Sequence, residues 1–177
     1  LAKQGCNSGA CHGALAGKGG FKLSLRGYDP VSDHWWITRQ ARGRRVEPAD
    51  PALSLLLAKP TGSVPHKGGV RLEIDSEDYR LLGKWISDGA AAPSEADAQL
   101  DSVRVLPEAV TLEKGDRQQL IVTARYSDGR EEDVTRWAKF SSTNATVATV
   151  SPEGMVEVIG HGQGAIAVWF SSRIVLT

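Results

Sequence analysis

The sequence predicts a multidomain chain, an all-α domain followed by an all-β sandwich, on three observations. A helix signature closes the first half, alternating β-branched runs fill the second, and the composition changes between them at DGAAAPSEADAQL (88–100). Ala, Pro, Ser and acidic residues without apolar periodicity make a linker. The expected division is a domain at 1–93, a linker at 94–100 and a sandwich at 101–177, and a chain of 177 residues can hold two small cores.

In the first domain FKLSL (21–25) is the one strand-like segment. DPVSDHWWITRQARG (29–43) predicts a helix, and DPALSLLLAKP (50–60) a short one ended by Pro60. SEDYRLLGKWISDGA (76–90) carries a full helix signature. Ser76 caps its start, Glu77 and Asp78 suit the positive end of the dipole, and Gly89 stops it. Tyr79, Leu82, Trp85 and Ile86 share one face. In the second domain SVRVLP (102–107), AVTLEKG (109–115), RQQLIVTARYSDGR (117–130), ATVATVSPEG (145–154), MVEVIG (155–160) and GAIAVWF (164–170) are strand-forming runs. SDG, SPEG and GHGQG turns punctuate them, so they predict a small antiparallel sandwich.

Lys plus Arg and Asp plus Glu number 21 each, so no global charge draws the chain to nucleic acid or an acidic membrane. No apolar run approaches the ~18 residues of a membrane span, and no basic-then-apolar leader opens the sequence. Because it starts within a helical or loop segment and stops on the strand-like RIVLT, the chain reads as an excised fragment, and the missing leader says nothing about compartment. The local exception in charge is RQARGRR (39–45), which reads either as a solvated basic face or as an anion site built from arginine forks.

The chemistry-bearing stretch is GCNSGACHG, with Cys6, Cys11 and His12. Three readings compete. A disulfide would close a short loop of modest entropic value and leave His12 without a role. A closed zinc site needs four ligands, and adjacent Cys11 and His12 point in divergent directions. Covalent haem uses adjacency: in C-x-x-C-H each thiol adds to a haem vinyl group and the next residue offers its imidazole to the iron. Here the spacer is Asn7-Ser8-Gly9-Ala10, four residues instead of two, and small residues with a glycine let the extra length bulge.

GCNSGACHGALAGKGGFKLSLRGYDP, ARGRRVEPADPALSLLLAKPTGSVPHKGG and DYRLLGKWISDGA together resemble the cytochrome c domain of large planctomycete-type secreted proteins, over roughly residues 1–92. The resemblance implies a cytochrome c-like fold with one haem c per chain, held by Cys6 and Cys11 with His12 as proximal ligand.

A sixth ligand keeps such an iron six-coordinate. Met155, the sole methionine, falls in the second domain and reads as a packing residue, and His161 reads as a turn residue of GHGQG. His34, beside two tryptophans, and His66, in SVPHKGG before the last helix, remain as candidates. The resemblance favours His66, because the matching PHKGG stretch supplies the distal ligand. Trp35 and Trp85 are expected among the apolar walls of the haem pocket, and Arg44 and Arg45 as partners of its propionates.

VRVLPEAVTLEKGDRQQLIVTARYSDGREEDVT and the following stretch with Trp137, Ser142, Asn144, Val147, Ala148, Gly154, Val156 and Gly164 to Ala167 resemble a bacterial Ig-like domain of group 2. Such modules act as spacers or adhesive units and carry no catalytic residues. Asp128, Glu131, Glu132 and Asp133 read either as a calcium cluster or, better, as a solvated turn.

The resulting expectation is a bis-His c-type cytochrome that transfers single electrons inside a larger secreted, periplasmic or otherwise extracytoplasmic protein. It would work with a redox partner protein and the downstream domains of the full chain, and the Ig-like part would bind glycan or protein. Two other classes stand beside it: an open-site haem enzyme or ligand sensor, and an adhesive module with structural haem.

Overall fold

The computed structural model describes residues 1–177 and divides them into two units, Leu1–Glu95 and Ala96–Thr177. Regular structure is largely β, with three helices in the first unit: α1 (Pro30–Thr38), α2 (Leu55–Ala58) and α3 (Glu77–Ser87). None of them is long and apolar enough to cross a membrane.

The ends of these helices follow from local chemistry. Asp29 caps α1 by accepting the Ser32 amide, and Pro30 occupies the first turn, where its missing N–H costs nothing. The expected extension to residue 43 does not form. Ala41 and Arg42 take left-handed φ angles of 54° and 62°, which an α-helix cannot contain. The segment 50–60 is likewise divided, into a 3-10 turn at Pro51–Leu53 and the short α2, because Ser54 is extended. The wholly buried Ser54 hydroxyl instead accepts the Glu47 amide at 2.9 Å. In α3, Ser76 Oγ accepts the Tyr79 amide at 3.2 Å, the capping bond expected of it. FKLSL forms no strand: only an isolated bridge joins Lys18 and Phe21, followed by a 3-10 turn at Leu25–Gly27. The first unit is therefore turn-rich and less helical than expected. Its core is small: Leu23, Ile37, Leu56, Leu57, Leu72 and Ile86 are buried, and Cys6, Phe21, Tyr79, Leu82 and Trp85 pack around them.

The second unit carries nine strands: β1 (Leu100–Leu106), β2 (Arg117–Gln119), β3 (Ile121–Tyr126), β4 (Glu131–Asp133), β5 (Lys139–Ser142), β6 (Ala148–Val150), β7 (Met155–Val158), β8 (Ile166–Phe170) and β9 (Arg173–Leu176). They form three antiparallel sheets in the orders β1-β3-β4, β2-β7-β6 and β5-β8-β9. Period-two burial is clearest in β3, where Val122 and Ala124 point inward. They join Val105, Leu120, Val134, Ala138, Val156, Ile166 and Val168 in one apolar core. AVTLEKG (109–115), expected as a strand, joins no sheet, although its Gly115 amide donates to the Val158 carbonyl at 2.9 Å. It ends in a turn where Asp116 accepts the Glu113 amide and Gly115 has φ +97°. The acidic cluster does not converge: Arg130 pairs with Asp128 and Glu132, and Asp133 accepts the Thr135 amide.

Candidate functional site

The Cys6–His12 segment is a coil of tight turns. The His12 amide donates to the Cys6 carbonyl at 2.9 Å, and the Cys11 and Gly13 amides both donate to Ser8 at 3.0 Å. Gly13 is required there, since a Cβ would lie 2.1 Å from the Asn7 carbonyl oxygen. The four-residue spacer is thus folded back on itself, with Asn7 buried, and both thiols reach the same cavity. They form no disulfide. Burial pushes the Cys6 thiol up from its ordinary pKa, which keeps it a neutral thiol.

That cavity, about 590 Å³, is lined by Cys6, Cys11, His12 and His66 among others, within the ~300–1,000 Å³ range of cofactor sites. The His12 and His66 rings lie with centroids 6.3 Å apart and planes inclined by only 12°. Each has its Nδ1 engaged by a backbone carbonyl: His12 with Phe21 at 3.1 Å, His66 with Gly69 at 2.9 Å. A carbonyl only accepts, so each Nδ1 carries the proton and each Nε2 keeps its lone pair. Fixing the tautomer through the other nitrogen is how proteins prepare an imidazole to hold a metal. Burial also lowers the His12 pKa, which favours the neutral, ligating form.

The spacing of this pair is compatible with one shared haem iron. A bond from each Nε2 to one ion spans ~2.0 Å, and a ring of ~1.35 Å bonds puts its centre ~1.15 Å from that nitrogen. Two such arms, if set in line, give a centroid separation close to the observed 6.3 Å. The charge of the walls fits as well. Lys18, Arg44, Arg45, Lys59, Lys67 and Arg71 line the cavity, and no carboxylate does, which suits a group bearing propionates. A closed zinc site does not fit, for no three His, Cys, Asp or Glu side chains converge anywhere in the chain.

Other expected site residues stand elsewhere. Trp35 is half exposed on α1 against Trp36, and Trp85 donates to the Ala91 carbonyl, so neither lines the cavity. His34 is outside it too, with its Nε2 bound to the Ala90 carbonyl at 2.8 Å. Arg44 reaches the cavity as an exposed cation. Arg45 also touches it, yet its buried guanidinium is already committed: it donates to the Trp36, Gln40 and Gly20 carbonyls and lies 4.6 Å over the Phe21 ring. Its main work is holding chain segments together, a role that sequence spacing does not signal. The Phe21 and Gly69 carbonyls were also invisible to sequence reasoning, because a backbone acceptor has no residue type. The glycine doublet after Lys67 was the one available hint.

A second cavity of about 890 Å³ lies in the second unit and is lined by Leu112, Leu120, Val156, Ile166 and His161. No cluster of metal ligands accompanies it.

The strands, sheet orders and core of the second unit are consistent with an immunoglobulin-like β-domain. Residues 99–170 are a bacterial Ig-like domain (group 2), matching the model of that family. The chain is also similar to Ice-binding protein 1 of Shewanella frigidimarina (strain NCIMB 400), 36% identical over 76 residues. That match covers 43% of this chain and 8% of the relative, so the chain spans only a small part of that protein's length.

Proposed function

We propose that residues 1–93 form a c-type cytochrome domain of cytochrome c-like fold, bearing one covalent haem c and transferring single electrons, in an extracytoplasmic protein that also carries the Ig-like domain. The observation that carries this reading is the pair of near-parallel imidazoles, each with Nδ1 tied to a carbonyl, facing one cavity together with two free thiols.

In this reading Cys6 and Cys11 would anchor the group covalently, and His12 and His66 would hold its iron. Bound haem supplies a one-electron couple whose potential depends on its axial ligands, burial and hydrogen bonding. The chain's own residues do the rest. Phe21 and Leu23 exclude water from the His12 side, the two carbonyl bonds hold both rings in the ligating tautomer, and Arg44 offers its fork to a propionate. The Ig-like domain serves as a spacer or as a binding module for glycan or protein, and the electron partner is a separate protein or another domain of the same polypeptide. The Ig-like match, together with the relative whose name says it binds ice, supports a place outside the cytoplasm.

The test is expression in a host that attaches haem c, followed by acid-acetone extraction and a pyridine haemochrome spectrum of the denatured chain. One haem retained per polypeptide, with a low-spin ferric spectrum before denaturation, is expected. Haem lost into the extract would sink the proposal.

A further inference from the structure

The loop that carries His66 contains more than a ligand. His66 Nδ1–H donates to the Gly69 carbonyl at 2.9 Å, and the Gly69 amide donates back to the His66 carbonyl at 3.0 Å. Gly69 closes this ring with φ +72°, a backbone conformation that favours glycine. Gly68, between them, lies against the imidazole itself: a Cβ there would stand 2.7 Å from His66 Cε1 and 3.2 Å from Nε2. Its own φ is not left-handed, so alanine is tolerated by the backbone at 68 and excluded only by the His66 ring. The side chain of Arg71 braces the same turn by donating to the Gly68 carbonyl at 2.8 Å.

We infer that Gly68 and Gly69 are positioning residues for the distal ligand, forming a four-residue clamp that fixes the His66 ring plane and tautomer and so decides whether the iron is six-coordinate. This rests on the bis-histidine haem reading. The two glycines divide the work: Gly69 holds the ring by its carbonyl, and Gly68 leaves the space the ring edge occupies. Neither touches the iron. Three backbone and side-chain bonds within residues 66–71 form the clamp, and the loop is fastened to the end of α2 by Lys59 Nζ donating to the Pro65 carbonyl and the Arg71 amide donating to the Pro60 carbonyl.

The decisive variant is Gly68→Ala in the haem-loaded chain, beside wild type, His66→Ala and Gly83→Ala. Gly83 is a control because a Cβ there meets only Leu57 Cδ1, at 4.0 Å. We expect the G68A ferric spectrum to move from low spin toward the high-spin form of H66A, with its haem still covalently attached. Carbon monoxide should bind the ferrous variant about 10–100-fold faster, the range by which outer-shell changes weaken metal ligation. Added imidazole should restore the low-spin spectrum, since only the ligand has been displaced. G83A should behave as wild type.

A low-spin G68A protein with wild-type carbon monoxide kinetics would overturn the clamp while leaving the bis-histidine reading intact. A wild type that is already high spin, or that is unchanged by H66A, would instead overturn that reading. Should G68A fail to accumulate, the unmutated ferrous protein gives a second measurement by proton NMR. The clamp requires a slowly exchanging Nδ1–H on His66, and rapid exchange of that proton with solvent would count against it.

Discussion

The two halves of this chain reach order by different means. In the second unit nine strands bury one continuous apolar core, with Val122, Ala124, Val134, Ala138 and Val168 wholly inaccessible. In the first, a cluster of six buried apolar residues must organise Leu1–Glu95, most of it turns and irregular chain, around a cavity of about 590 Å³. Chains of that size with thin cores are marginal on their own apolar burial. One half closes on a continuous core of its own, whereas the other has a thin core beside a large cavity, so under the haem proposal its order would depend on what it holds.

The largest expected effect breaks the comparison at its root. Chain made without haem attachment should show one cooperative unfolding transition, that of the Ig-like domain, where the haem-loaded chain shows two. Differential scanning calorimetry reads this directly, and two transitions in the haem-free chain would mean that the first unit folds unaided.

Next come matched cavities. Leu57 and Leu120 are almost fully buried, at 1% and 3% exposure, in the two cores. Each substitution to alanine should cost about 2–5 kcal/mol in its own unit. Leu120→Ala should lower the midpoint of the Ig-like transition whether or not haem is attached, and Leu57→Ala should act only on the haem-dependent one, both by thermal melts.

Ser76→Ala removes the α3 cap and should cost about 1 kcal/mol, visible in the haem-dependent transition alone. The smallest effect lies in the other unit. Hydrogen bonds from the Thr135 side chain and amide hold the Asp133 carboxyl below the usual aspartate range. A depressed folded pKa contributes stability that is fully present above the ordinary aspartate value and is lost as pH falls through the depressed one. Asp133→Asn should therefore flatten the acid limb of the Ig-like transition, measured by melts across pH 2 to pH 5, roughly that range. The group is largely exposed, so screening keeps the change below that of the cap.

Legibility in the sequence divides along the same line. The β half could be read because alternation, turn dipeptides and burial all repeat locally, and MVEVIG and GAIAVWF became β7 and β8. AVTLEKG failed because alternation needs a strand partner along its length, and this segment reaches β7 at its Gly115 end without joining a sheet. In the first half Cys6, Cys11 and His12 stood out by their side chains and His66 only by the resemblance, and the structure lines one cavity with all four. What held them could not be named. The acceptors are carbonyls of Phe21 and Gly69, and the early end of α1 depends on two left-handed residues, Ala41 and Arg42, of types that rarely adopt that conformation. Trp35 and Trp85 were misplaced for a related reason: an aromatic in a helix advertises burial without saying against what.

Arg45 shows where this matters most for tolerance to change. One planar cation gathers carbonyls from residues 20, 36 and 40 and caps the ring of Phe21, whose carbonyl in turn steers His12. A lysine at 45 would preserve the charge but has a single nitrogen, which cannot span three acceptors set in a fork. The position is thus a keystone of the His12 side of the cavity, at which an exchange that looks mild on paper reaches the imidazole two links away.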